Sequence, residues 1–253
     1  MLCETKKNLM KNILKLTKRL VLTALFLGLL SAVELMNSPD KTLPGLGTKT
    51  LVGVIDGINI EAVVQSPSTQ VTPLQIICLF EYTEGDIFLS PPALPKELNG
   101  LLHVDEALHG LITDLRKSGK FGGHSLETLL IIPPKNTIAA KKLLLVGLGN
   151  RNDFKPEMMR MVGVIGMREA LRLGVTSYSH ASDLKDSGIA SPTADVTRYV
   201  TQGAIEAYRT QQYLQNRQAS DQLTVNKFNL LSGSAYYKDS QEGMKTALSA
   251  LAK

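Results

Sequence analysis

A long apolar run that ends on two glycines and leads into a helix leaves a chain few folds to choose from. Residues 142–180 hold such a unit: "KLLLVGLG", the loop "NRNDFKPE", the helical stretch "MMRMVGVIGMREALRLG" and the strand-like "VTSYSH". Four consecutive apolar residues, Leu143 to Val146, do not alternate with polar ones, so the strand is expected to be buried on both faces and central in its sheet. Pro156 suits the first turn of the following helix. Met158, Met161, Val162 and Ile165 make its expected apolar face, with Gly163 and Gly166 allowing a close neighbour. Gly174 ends it, and the second strand then predicts a parallel, right-handed crossover.

The flanking segments repeat the alternation. "KTLVGVI" and "INIEAVV" bracket Asp56-Gly57, a hairpin turn. "LQIICLF" reads as a buried strand carrying Cys78 as a small core residue, and "ETLLIIPP" as a strand stopped by Pro133 and Pro134. Between them, "VDEALHGLITDLRKSG" places Leu108, Leu111, Ile112 and Leu115 on one stripe of a single helix, capped by Asp105 and ended by Gly119. A later helix, "SPTADVTRYVTQGAIEAYRTQQYL", presents Val196, Val200, Gly203 and Ala207 on one face. The strand "LTVNKFNLLS" follows, then a last helix with Ser240 as its expected cap and Met244, Ala247, Leu248 and Leu251 as its stripe.

The N-terminus has a different character. Lys6, Lys7, Lys11, Lys15, Lys18 and Arg19 precede the apolar run Leu20 to Val33, which is too short for a spanning helix and suits a secretion signal. Residues 1–40 are therefore expected to be a signal peptide or an N-terminal membrane anchor, and the protein exported, periplasmic or membrane-anchored by an uncleaved segment. The formal net charge of +5 follows largely from this stretch. Setting aside its six basic and three acidic residues leaves 22 basic and 20 acidic, so the body is no evident polyanion binder. With no Trp and 5% aromatic residues it also lacks stacking platforms, and nucleic acid is not an expected partner.

Chemical motifs are sparse. Gly147, Gly149 and Asn150 form neither a full dinucleotide fingerprint nor a P-loop, yet glycines at a strand's carboxyl edge ahead of a helix can turn backbone N–H groups toward an anion. This is the candidate ligand loop; the alternative is that the glycines only shape the turn. His103, His109, His124 and His180 have no metal-ligand spacing and are expected at surface or capping positions. Asp183, Asp186 and Asp195 are expected to be solvated, and no nucleophile elbow surrounds Ser125 or Ser177. No catalytic residue, metal site or cofactor is expected.

"VDEALHGLITDLRKSGKFGGHSLETLLIIPPKNTIAAKKLLLVGLGNRNDF" resembles the middle of the N-terminal domain of the leucyl (cytosol) aminopeptidases. That family shows an LD-x-x-L-x-G-x-L helix, an F-x-G loop, an ET-x-x-L strand and K-x-x-L-L-V-G-L-G, and "TQGAIEAYRTQQYL" is similar to its A-E-G-x-x-L-x-x-Y helix. The resemblance, over about residues 48 to 235, implies an α/β macro-domain-like three-layer sandwich with a central mixed sheet flanked by helices. It implies a domain over residues 41–237, and for residues 238–253 a helix like the start of the family's interdomain linker. Gly147 and Gly149 carry over as fold-shaping positions.

In that family the peptidase chemistry lies in a separate C-terminal domain, where two metal ions are held by a lysine, aspartates and a glutamate of N-T-D-A-E-G-R. None of this motif occurs here. The resemblance therefore implies a non-catalytic domain that binds a protein partner, a second copy of itself or a small molecule. One alternative is a fragment or accessory subunit of a metal-dependent aminopeptidase. The other, by fold analogy, is a binder of an ADP-ribose-type nucleotide.

Overall fold

The computed structural model describes residues 43–83, 94–181 and 184–252. The expected signal segment and Asp183 lie outside these residues. Pro44 to Lys253 form one compact unit. Among the described residues seven strands make a single sheet: β1 (Lys49–Ile55), β2 (Ile58–Val64), β3 (Gln75–Leu79), β4 (Thr128–Ile131), β5 (Leu143–Gly147), β6 (Ser177–Ala181) and β7 (Lys227–Ser232). The α-helices among these residues are α1 (Gly100–Ala107), α2 (Leu111–Lys117), α3 (Met158–Arg172), α4 (Thr193–Asn216) and α5 (Tyr237–Leu251).

The strands lie in the order β1-β2-β7-β6-β3-β5-β4. Pairing is parallel from β2 through β5 and antiparallel at both ends, β1 with β2 and β4 with β5. The mixed sheet is the expected one, and the hairpin at Asp56-Gly57 forms with both residues at positive φ. Leu143, Leu145 and Val146 are fully buried, as a strand covered on both faces requires. Its place differs from expectation: β5 is sixth of seven, and β6 is the middle strand. Apolar runs report coverage by helices on both faces, and α1 and α2 extend that coverage almost to the edge.

Alternation along the strands divides the core. One face of the sheet, with Ile76, Val146, Tyr178 and Phe228, packs under α3, α4 and α5. The other, with Ile77, Leu79, Leu143 and Leu145, packs under α1 and α2. This is the three-layer sandwich.

Four helical expectations change. The stretch expected as one helix is two, because His109 and Gly110 both take positive φ and break it. Asn99 caps α1 by accepting from the Leu102 amide at 2.9 Å. Asp105, expected to cap the first turn, is buried inside α1 and serves α2 instead, accepting from the amides of Ile112 at 2.9 Å and Thr113 at 3.1 Å. In α3 the buried stripe is Met159, Val162, Val164, Met167 and Ala170, and Met161 is exposed. The helix is rotated relative to the expected face because Gly163 and Gly166 must meet α4 and the sheet. Ser240, expected as a cap, lies within α5, which begins at Tyr237; Met244 and Ala247 of that helix reach the core.

Candidate functional site

In sheets of this kind ligands collect beyond the carboxyl ends of the parallel strands. The candidate residues Gly147, Gly149 and Asn150 sit there, at the end of β5. The Gly147 amide donates to Glu127 O at 2.8 Å, Leu148 to Leu79 O at 2.8 Å and Gly149 to Gly123 O at 2.9 Å. These donors hold neighbouring loops together, so an anion would have to displace one of them. Gly147 has no room for a side chain, since a Cβ would strike His124 O, and Gly149 takes φ +74 against Ser125. Asn150 is exposed, and its side chain accepts from the Asn152 amide at 2.9 Å, opening the short turn Arg151–Asp153.

Aromatic and arginine side chains fill the space around that edge. Phe80 meets Phe154 edge-on with ring centroids 5.5 Å apart. The buried Arg116 donates to Phe80 O at 2.7 Å, and Arg151 donates to Ser187 O at 2.7 Å while lying over the Phe80 ring. A cavity of about 20 Å³ remains between Pro67, Cys78, Leu101, Ala181 and Asp186. It has room for about one water molecule.

The histidines are not alike. His180, expected at the surface, is fully buried on β6, on the same face as Tyr178. Its Nε2 lies 3.6 Å from Cys78 Sγ of the adjacent strand β3. Burial holds the imidazole neutral, lowering its pKa to about 3, and pushes the Cys78 thiol up to about 12. Desolvation opposes charge on both groups, so the pair offers neither a thiolate nor a general base near neutral pH. Sequence reasoning missed this pair, although strand parity links His180 to Tyr178. His124 is exposed and pairs with Glu81 at 2.9 Å, which raises the imidazole pKa. Asp186 accepts from the Leu101 amide at 3.1 Å, and Asp195 pairs with Arg198 at 3.0 Å, so these aspartates serve helix ends. Among the described residues no three His, Cys, Asp or Glu side chains gather where they could hold a metal ion.

Residues 93–217 match the family model described as the N-terminal domain of the cytosol aminopeptidase family. Two bacterial relatives carry the name "Probable cytosol aminopeptidase". That of Thermosynechococcus vestitus is 34% identical over 139 residues, covering 53% of this chain and 24% of the relative. That of Alkaliphilus oremlandii is 30% identical over 153 residues, covering 60% of this chain and 30% of the relative. The chain thus spans about a quarter of the length of these relatives. Among solved structures, a tomato leucine aminopeptidase variant superposes with a TM-score of 0.52 at 18% identity, over 77% of this chain and 37% of the other. An Oceanobacillus iheyensis macrodomain variant superposes with a TM-score of 0.51 at 14% identity, over 84% of this chain and 98% of the other. These two likenesses establish the macrodomain-like fold, and the sequence match establishes the kinship: residues 93–217 belong to the N-terminal domain of the cytosol aminopeptidase family.

Proposed function

We propose that this chain is an exported binding module built on that N-terminal domain, taking a protein partner or a small ligand and carrying no peptidase centre of its own. The carrying observation is the position of the match. It falls wholly within the domain that, by the resemblance, stands apart from the metal-binding peptidase part. Peptide hydrolysis of the family's type needs a divalent metal to polarise the carbonyl and generate hydroxide. The purified chain, dialysed and then supplied with zinc, manganese or cobalt, is expected to retain no stoichiometric metal and to leave a leucyl chromogenic substrate intact. Turnover that survives repurification with bound metal would return the chain to the peptidases.

Export rests on the basic block ahead of Leu20 to Val33. Residues 10–45 fused to a reporter that works only outside the cytoplasm are expected to make it active. A silent reporter removes the exported half of the reading and leaves the binding half standing. Within the module, the loop Gly147 to Asn150 is the first place for a small ligand, with Asn150 as the residue that offers a side chain.

A further inference from the structure

The two edges of the sheet are built differently. On β1 the register shifts between Leu51 and Gly53, a bulge of the kind that discourages further pairing. On β4 the register runs unbroken from Thr128 to Ile131, the strand holds no charge and no proline, and Ile132 just beyond it is 77% exposed. Gly147 exchanges backbone bonds with Leu126 and Glu127, its amide donating to Glu127 O and its carbonyl accepting from the Leu126 amide. That phase turns Leu129 and Ile131 toward β5, and the N–H and C=O groups of Thr128 and Leu130 away from the sheet, where a further strand would bond.

Beside this edge lies an open groove between β4 and α3, floored by Leu126, Leu130, Leu144 and Ile165, with a volume of about 510 Å³. Its wall carries Arg168, Glu169 and Arg172. Glu169 is taken by Arg172 at 2.6 Å, whereas Arg168 is exposed and makes none of the ion pairs among the described residues. The groove therefore presents an apolar floor, an unpaired row of backbone groups and one uncompensated positive charge.

We propose that β4 is a docking edge for an extended peptide segment of a partner protein. The segment adds as an eighth strand, sets alternate apolar side chains on Leu130 and Ile165, and places a carboxylate on Arg168. Backbone bonds supply affinity in this mode, and the pockets beside the edge supply selectivity. The excess positive charge selects an acidic segment over a basic one, and it disfavours a second copy of this chain, whose own Arg168 would approach the same groove. The inference rests on the binding-module reading and names the site at which that module works.

The probe is a synthetic peptide of about ten residues alternating valine and serine with one central glutamate, beside a counterpart carrying lysine there. Titrated into the full-length protein, the glutamate peptide is expected to bind and to slow hydrogen exchange at the Thr128 and Leu130 amides. Arg168→Glu, a change at an exposed position, is expected to weaken that peptide about fivefold and to favour the lysine counterpart. Equal binding of both peptides, no binding, or protection confined to other segments would overturn the proposal. So would dimerisation that protects the same amides without peptide, which would assign the edge to a second copy. Each of these results leaves the protein inactive toward leucyl substrates, so failure of the docking edge and failure of the non-peptidase reading remain separable.

Discussion

Val146→Asp is expected to abolish cooperative folding. Val146 is fully buried, faces Cys78 on β3 and Thr128 on β4 in register, and packs in the larger core cluster. An aspartate there finds no partner. Ionised, it carries the desolvation penalty of an unpaired buried charge; protonated, it raises its pKa, buries an unsatisfied carboxyl and loses the valine's packing. Either route costs about 4–5 kcal/mol or more, a large part of the roughly 5–15 kcal/mol that holds a domain together. Ile132→Asp is the control, since that side chain is mostly in water. Thermal melting by circular dichroism, with soluble yield, provides the measurement. A Val146→Asp protein that melts cooperatively within a few degrees of the parent would show that the strand is not enclosed.

Gly203→Ala is expected to destabilise the chain although it improves helix propensity. Where α3 crosses α4, a Cβ on Gly203 would overlap Arg160 O and one on Gly163 would overlap Val200 O, so each helix rests directly on the other's backbone. The obstacle in both cases is main chain, which no rotamer change can move aside. Alanine stabilises an isolated helix by about 1 kcal/mol relative to glycine. Separating two packed helices costs about 3 kcal/mol, so the overlap wins and a net loss of about 2 kcal/mol should remain. For a domain of this size that lowers the melting temperature by about 5 °C. Gln202→Ala, at the neighbouring half-buried position, should leave it nearly unchanged. An unchanged or raised melting temperature in Gly203→Ala would mean that the two helices cross farther apart.

The same contacts carry information that local spacing in the sequence does not. The glycines of α3 mark points of close approach in the sequence, but methionine spacing points to an apolar face that would turn the exposed Met161 inward. Met161 and Val162 are adjacent on the helix, and only the seating of Gly163 on Val200 O decides which of them turns toward the core. The stretch from Val104 to Gly119 departs from its single-helix pattern for another reason. The stripe of Leu108, Leu111, Ile112 and Leu115 is continuous, while the break depends on His109 taking positive φ, an uncommon conformation for a residue other than glycine.

The candidate loop lies at the carboxyl end of β5, but what surrounds it is not legible in the sequence. Whether Gly147 and Gly149 show their amides to solvent depends on Glu127, Gly123 and Leu79, which arrive from other parts of the chain. His180 and Cys78 are separated by 102 residues and become neighbours only because β6 pairs with β3.

By itself, then, the sequence determined what depends on a few adjacent residues. These features are the turn at Asp56-Gly57, the strands at Gln75–Leu79 and Leu143–Gly147, the long α4 stripe of Val196, Val200, Gly203 and Ala207, and the motif order that marks the family. Each follows from local dihedral preference or from the period at which apolar side chains recur. Only the tertiary structure decided that β5 lies one strand from the edge, that His180 is buried and neutral, that Asp105 serves the helix after its own, and that β4 is left open beside Arg168. Strand order, burial and charge environment are set by pairings between residues far apart along the chain, and local periodicity carries no record of which distant segment a strand will meet.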